Sequence, residues 1–343
     1  MKTLAASIKK IVADRHRVPL LRRLVQAGFG LFTLYAGYRF YLFFQWAVGR
    51  SQAFVPSPPA VEGFLPISAL VGLKRLVLTG EYDPVHPAGL TIFLAALVIA
   101  FLCRKGFCGW ICPVGFASNL AAKLGGRLRM QFRPPVWLDF PLLGLKYVLL
   151  AFFCYLVLWR MNLEQITAFQ RSPYNMVAAG KMLSFFLAPS RLAGGVLLFL
   201  GLASLVVRNF WCRYLCPYGA LLGLAALFGP MRVRRDAGQC IDCKKCEKVC
   251  PGTIKIAARE VVWSSECVGC MECVGVCPRE DCLTLTGPGR VRLPVQVLPL
   301  MVLAVFFLFW LAALFSGHWQ SVVPPAALKQ FYGMMFSLPP AGI

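Results

Sequence analysis

Eight cysteines in one polar stretch carry the plainest chemistry of this 343-residue chain. They read Cys240-x2-Cys243-x2-Cys246-x3-Cys250-Pro251, then Cys267-x2-Cys270-x2-Cys273-x3-Cys277-Pro278. Two-residue gaps let three thiolates from one tight turn reach three corners of a four-iron cubane. The fourth Cys of each run lies too far along to close the same cluster comfortably, and in two-cluster proteins it ligates the other one. The expected ligand sets are therefore Cys240, Cys243, Cys246 and Cys277 for cluster 1, and Cys267, Cys270, Cys273 and Cys250 for cluster 2. Paired Cys-x2-Cys also binds zinc, but zinc takes four ligands and has no use for a third evenly spaced Cys in both copies. Disulfides fit worse still, since so many close thiols in one loop would scramble.

A second thiol pattern occurs twice at a constant offset of 104 residues. Cys108-x3-Cys112-Pro113-x-Gly115 recurs as Cys212-x3-Cys216-Pro217-x-Gly219, and flanking residues match in kind: Arg104 with Arg208, Phe107 with Trp211, Trp110 with Tyr214. Cys at i and i+4 of a helix project from one face, one turn apart. Two such pairs brought together by a repeat would make a shared thiolate or redox site. Soft thiolates favour iron–sulfur, Cu(I) or zinc, so the occupant stays open. The bland alternative is a small Cys packed at a helix end, with Pro as terminator. Cys103, Cys154 and Cys282 have no partner at useful spacing and are expected to be inert buried thiols.

His86 stands between Pro84 and Pro87, with Glu62, Glu81 and Asp83 in the same segment. A group titrating near neutral pH could accept a proton released by quinol oxidation, which makes His86 a candidate proton acceptor. The alternative is a solvated interfacial His capping a helix.

The elements that must hold these residues are mostly apolar. The hydrophobic fraction is 58% and the formal charge is +22. The basic residues sit at the ends of apolar runs, not on one polar face, and no groove-reading motif is present, so nucleic acid is not an expected partner. Fifteen Cys, most of them in ligand spacing, argue for a reducing compartment. The expected fold is a polytopic all-α membrane protein of about five helices, built on an internal two-helix repeat, with a cytoplasmic α+β insert holding the two clusters.

The expected order along the chain is a basic amino terminus at 1–23, a four-helix membrane domain at 24–229, a two-[4Fe–4S] ferredoxin-like domain at 230–292, a fifth span at 293–315 and an outer tail at 316–343. The spans are 24–48, 88–102, 140–159, 192–207 and 293–315. Between them, 50–87 reads as a Pro-rich loop along the bilayer surface and 160–191 as a polar loop. Strand-like scraps follow each cysteine run at Ile254–Ile256 and Leu283–Leu285. Segments 1–23, 103–141 and 208–293 carry seven, six and thirteen Lys and Arg, against three, four and one in 50–87, 160–191 and 317–343. The positive-inside rule then puts the amino terminus and the insert in the cytoplasm and the carboxyl terminus in the periplasm of a bacterial inner membrane.

Taken together, these residues resemble the membrane-bound polyferredoxins. That group includes the quinol-oxidising membrane subunit of the periplasmic nitrate reductase type, the membrane half of the nitrous-oxide reductase regulator, and cytochrome-oxidase accessory ferredoxins. The match rests on the two Cys-x3-Cys-Pro motifs set before a two-cluster insert, and on the segments Phe64-Leu65-Pro66-Ile67 and Asp83-Pro84-Val85-His86-Pro87-Ala88-Gly89. The chain departs from the regulator in lacking a large flavin domain, and from the oxidase type in lacking a long soluble domain after the last span. The resemblance implies electron transfer between the quinol pool and a periplasmic or membrane reductase chain, with membrane lipid around the helices and a cytochrome- or ferredoxin-type redox partner. Two other readings stay open: electron supply with thiolate copper handling for cofactor assembly, and redox sensing.

Overall fold

The computed structural model describes residues 15–336. The described residues are mostly helical, with one small sheet. They form two compact units, one of residues 15–30, 96–150 and 200–306, the other of residues 31–95, 151–199 and 307–336.

Helices cover all five expected apolar segments, but they differ in how well they suit a bilayer. By length and apolarity, Val136–Arg160 and Val297–Phe315 qualify. Ala178–Leu187 and Arg191–Val206 qualify only as a pair, bent by 78°. Pro87–Cys103 has 17 residues, short of the roughly 20 that a straight span requires. The helix Val18–Ala47 carries Arg22, Arg23 and Arg39. The helix Val297–Phe315 starts four residues later than expected because Arg292–Leu293 pairs in the sheet.

In the first unit, β1 (Arg232–Arg235), β2 (Leu283–Thr286) and β3 (Arg292–Leu293) form an antiparallel sheet in the order β1-β2-β3. Val233 faces Leu285, and both are buried, as alternation across a half-covered sheet requires. One expected strand is absent. Ile254 and Ile256 are buried but unpaired, because they wall a cysteine cavity instead, while Arg232–Arg235 supplies the partner for β2. Short helices Lys245–Val249 and Glu272–Val276 carry the third Cys of each run.

In the second unit, Phe40, Phe43, Phe44 and Trp46 pack with Val61, Val177, Ala179, Tyr332 and Met335 into an aromatic core. The segment expected as a surface loop at 50–87 contains the helix Pro66–Thr79. Proline at its first position suits the helical φ and lacks only an N–H that would go unused. Ser68, Ala69, Leu70, Val71 and Gly72 are buried along it, which explains why the segment folds inward. The polar loop expected at 160–191 is also helical. It opens at Leu163–Arg171 with a reciprocal cap between Asn162 and Gln165.

Candidate electron-transfer centre

The two cysteine runs fold alike. In each, the Cys-x2-Cys step passes through left-handed residues: Asp242 (φ 48°) and Lys244 (φ 53°) in the first, Gly269 (φ 60°) and Met271 (φ 58°) in the second. Those reversals curl the chain round a hollow. One cavity is lined by Cys240, Cys243, Cys246 and Cys277, the other by Cys250, Cys267, Cys270 and Cys273. Cys250 and Cys277 thus each line the cavity of the opposite run. The two hollows are alike in size.

The donor chemistry fits four-iron clusters. Among the described residues, no three His, Cys, Asp or Glu side chains converge closely enough to hold a single metal ion. A set of thiols spread round a matched hollow suits separated iron corners better than one central zinc. Burial pushes the free thiol of Cys250 up to about 11 and that of Cys270 up to about 12, so both bind iron only by giving up protons.

The first cavity has a fifth thiol. Cys282 lines it, is almost fully buried, and interacts with both Cys240 and Cys277. Cys282 is buried as expected, but it is not alone: it stands beside Cys240 and Cys277. The signal missed was its position five residues beyond Cys277, at the mouth of β2, where the strand carries it back to the cavity.

The Cys-x3-Cys-Pro motifs also depart from expectation locally. Cys108 lies in the short helix Gly106–Trp110, but the backbone opens at Cys112 (φ −60°, ψ 120°) and Pro113 starts a new helix, Pro113–Arg127. Cys216 likewise stands at ψ 104° before Pro217–Leu227, and its sulfur accepts a hydrogen bond from the Gly219 N–H at 3.2 Å. The two cysteines of a pair are thus on successive elements, not one turn apart on one helix. Pro opens the second helix instead of ending the first. Helix starts favour thiolates.

The two pairs do come together. Cys108, Cys112, Cys212 and Cys216 lie within electrostatic reach of one another, with Tyr218 beside three of them and Lys105 beside Cys108 and Cys212. The buried Ser118 hydroxyl lies beside Cys212. Burial raises Cys112 to about 11 and Cys212 to about 12, and for Cys112 the N–H groups of Gly115 and Val114 oppose that rise.

Both motif segments are docked on the loops of the second cavity. The Lys105 N–H donates to the Cys267 carbonyl at 3.3 Å, and the fully buried Trp110 donates its indole N–H to the Gly269 carbonyl at 3.0 Å. Gly109 lies so close to the Val268 carbonyl that a Cβ there would collide with it. In the second copy, Arg208 donates to the carbonyls of Lys248 and Cys250, at 2.8 and 3.2 Å, and Asn209 to that of Pro251 at 3.1 Å. Arg22 holds the arrangement from the side, bonding the Gly109 carbonyl and pairing with Glu272 at 2.7 Å.

A buried charge cluster lies at the same junction. Glu266, next to Cys267, pairs with Lys146 and stands 3.7 Å from Lys105. Burial disfavours charge on both Lys105 and Glu266, but their mutual attraction outweighs it. Lys105 is held above its ordinary value and Glu266 below.

His86 is in the second unit, 94% buried rather than solvated, with Glu62 beside it.

Thiol cavities of this kind, in a chain with apolar helices long enough to cross a bilayer, define an iron–sulfur electron-transfer protein of membrane type. Comparison with known proteins agrees. Residues 85–131 and 187–235, which contain the two Cys-x3-Cys-Pro motifs, match a 4Fe-4S binding domain, and residues 232–278 match a 4Fe-4S dicluster domain. The "Putative electron transport protein YccM" of Escherichia coli is 40% identical over 283 residues, covering 80% of this chain and 78% of that one. The ferredoxin-type protein NapH of Haemophilus influenzae is 30% identical over 48% of this chain and 55% of its own. The methylamine utilization ferredoxin-type protein MauN of Methylobacillus flagellatus is 28% identical over 56% and 62%. No solved structure is significantly similar. The chain belongs to the membrane-bound polyferredoxin family.

Proposed function

We propose that this protein carries electrons between a membrane hydroquinone pool and a redox partner protein of cytochrome or ferredoxin type. In this reading Cys240, Cys243, Cys246 and Cys277 hold one [4Fe–4S] cluster, and Cys267, Cys270, Cys273 and Cys250 hold the other. When bound, such clusters supply one-electron transfer at potentials set by burial and by hydrogen bonds to sulfur.

The observation that carries the reading is the double docking of the membrane motifs on one cavity. The Lys105 and Trp110 bonds reach the Cys267–Cys270 loop, and the Arg208 and Asn209 bonds reach Cys250-Pro251. Among the residues lining the other cavity, Cys243 and Ile241 are exposed. The ligand loops are therefore ordered from the four membrane-motif cysteines, through the second set, to the first set and a soluble partner. Cys108, Cys112, Cys212 and Cys216 act as one shared thiolate or redox site at the start of that order. Lys105, kept charged by Glu266, sets positive charge beside Cys108 and Cys212, which favours the reduced, more negative state of that site.

The topology proposed with it has five spans in a bacterial inner membrane, with the amino terminus and ferredoxin insert cytoplasmic and the carboxyl terminus periplasmic. Its support is the Lys and Arg asymmetry. Adding a hydroquinone to the purified, anaerobic protein tests the reading. The clusters should bleach, and the Cys112→Ser variant should lose that response while chemical reductants still act. Bleaching that survives in Cys112→Ser would remove the motif from the path.

A further inference from the structure

The second unit holds a carboxylate and an imidazole buried together. Glu62 lies in the turn Pro59–Phe64, and His86 immediately precedes the helix Pro87–Cys103. Glu62 Oε1 stands 3.6 Å from His86 Nδ1, and Glu62 Oε2 accepts the Gly89 N–H at 3.0 Å. On its other side, His86 Nε2 lies 2.9 Å from the Asn175 carbonyl oxygen. A carbonyl can only accept, so Nε2 carries the hydrogen. In a neutral imidazole Nδ1 is then a bare lone pair, and it faces a carboxylate oxygen that is also an acceptor. His86 Nδ1 has no hydrogen-bond partner. One further proton, on Nδ1 or on Glu62, turns this repulsion into attraction.

The rest of the pocket is fully bonded, which leaves that proton as the variable. Asp83 is 1% exposed, and its Oδ1 accepts the N–H groups of Val85 and His86 at 2.9 and 3.0 Å. Its Oδ2 accepts from Gln170 at 2.9 Å, while Gln170 accepts from Arg75 at 2.8 Å. Arg75 in turn pairs with Glu81. Ser68 donates to Asn175, fixing the residue whose carbonyl holds His86. Asp83 is the other charged group that acts on Glu62, and the buried phenol of Tyr332 in turn feels the charge of Glu62. Burial raises Glu62 above the usual carboxylate range; burial also opposes charge on His86, but Glu62 outweighs it and holds the imidazole above its ordinary value. Both shifts mean a retained proton.

Phe64, in the same turn as Glu62, and Ile67 shortly after it are exposed, and these apolar side chains are taken as the rim of the site. We propose that Glu62 and His86 form a proton-accepting dyad for a hydroquinone ring bound at this rim. This rests on the hydroquinone reading above and names the residues that complete it. In the step, a hydroquinone O–H bond breaks as its proton passes to the Glu62–His86 pair. One electron goes to an oxidised [4Fe–4S] cluster. The dyad passes its proton to water, and the second proton and electron leave in the same way. One hydroquinone and two oxidised clusters yield one quinone, two reduced clusters and two protons.

The test uses full-length protein with intact clusters in lipid nanodiscs, with menadiol as the hydroquinone. Glu62→Gln and His86→Asn should slow menadiol-driven cluster bleaching at least tenfold, with dithionite-driven bleaching and iron content unchanged. Glu62→Asp, which keeps a carboxyl group, should recover part of the rate. In the parent protein the rate should fall as pH is lowered and the dyad stays protonated, and Glu62→Gln should lose that dependence. Infrared difference spectra give a readout independent of turnover: a protonated carboxyl band titrating above the ordinary carboxylate range, absent in Glu62→Gln. If that band is missing from the parent protein, the dyad does not exist. If the band is present but Glu62→Gln bleaches at the parental rate, the dyad is not the hydroquinone's acceptor. If menadiol fails to reduce even the parent clusters, the functional reading falls and takes the substrate of this site with it, whereas the band still decides on the dyad itself.

Discussion

Lys105 donates its backbone N–H to the carbonyl of Cys267, so a residue three positions before Cys108 touches a residue of the second cysteine run directly. Trp110, two positions after Cys108, makes the matching bond to Gly269. A membrane cysteine motif and a cluster-binding loop are therefore one packed unit.

Trp110→Phe should keep the ring's bulk but leave the Gly269 carbonyl without its donor. A buried acceptor stripped of its partner costs about 1–3 kcal/mol. We expect normal iron content with lower thermal stability, and an altered electron paramagnetic resonance signal from one cluster only. Equal changes in both clusters would place the indole bond elsewhere in the path.

Cys250→Ser belongs to the first run by sequence but lines the cavity of the second. It should lower iron from about eight toward about four per chain and remove the signal of the cluster held by Cys267, Cys270 and Cys273. Loss of the other cluster would refute the crossed ligand sets.

Cys282→Ala should leave iron content intact but shift the potential of the first cluster downward. Cys282 gives its thiol hydrogen to the Asp236 carbonyl at 3.8 Å but lies beside Cys240 and Cys277, and losing a polar group there disfavours the more negative, reduced state. Redox titration reads the shift. An unchanged potential would return Cys282 to simple packing.

Cys112→Ser, Cys216→Ser and the double variant should lose hydroquinone-driven cluster reduction to a similar extent, because residues acting as one unit are not additive. Losses that multiply would mean two separate sites. A parental rate in all three would leave these cysteines as packing at helix starts.

A reporter active only outside the cytoplasm should work when fused after Phe315 and fail when fused after Arg290. The reverse pattern would overturn the proposed orientation and the electron path built on it.

The spacing of the eight cysteines was enough to sort them into the two groups that line the two cavities, because tight Cys-x2-Cys turns and a distant Cys-Pro leave few ways to surround a cube. The duplicated Cys-x3-Cys-Pro motif was legible for a similar reason: a constant offset survives any folding detail. Sequence periodicity could also place the apolar helices, although not the 78° bend between Ala178–Leu187 and Arg191–Val206, which depends on packing. Contacts across long chain separations were invisible. Nothing local distinguishes Cys282 from an inert thiol until β2 pairs with Arg232–Arg235 and returns it to the first cavity. Likewise Glu62 and His86 are 24 residues apart in a Pro-rich stretch, and only the buried network of Asn175, Gln170 and Asp83 makes them a pair. Local ligand chemistry is written in short spacings, whereas burial and charge pairing arise only when distant elements exclude water together.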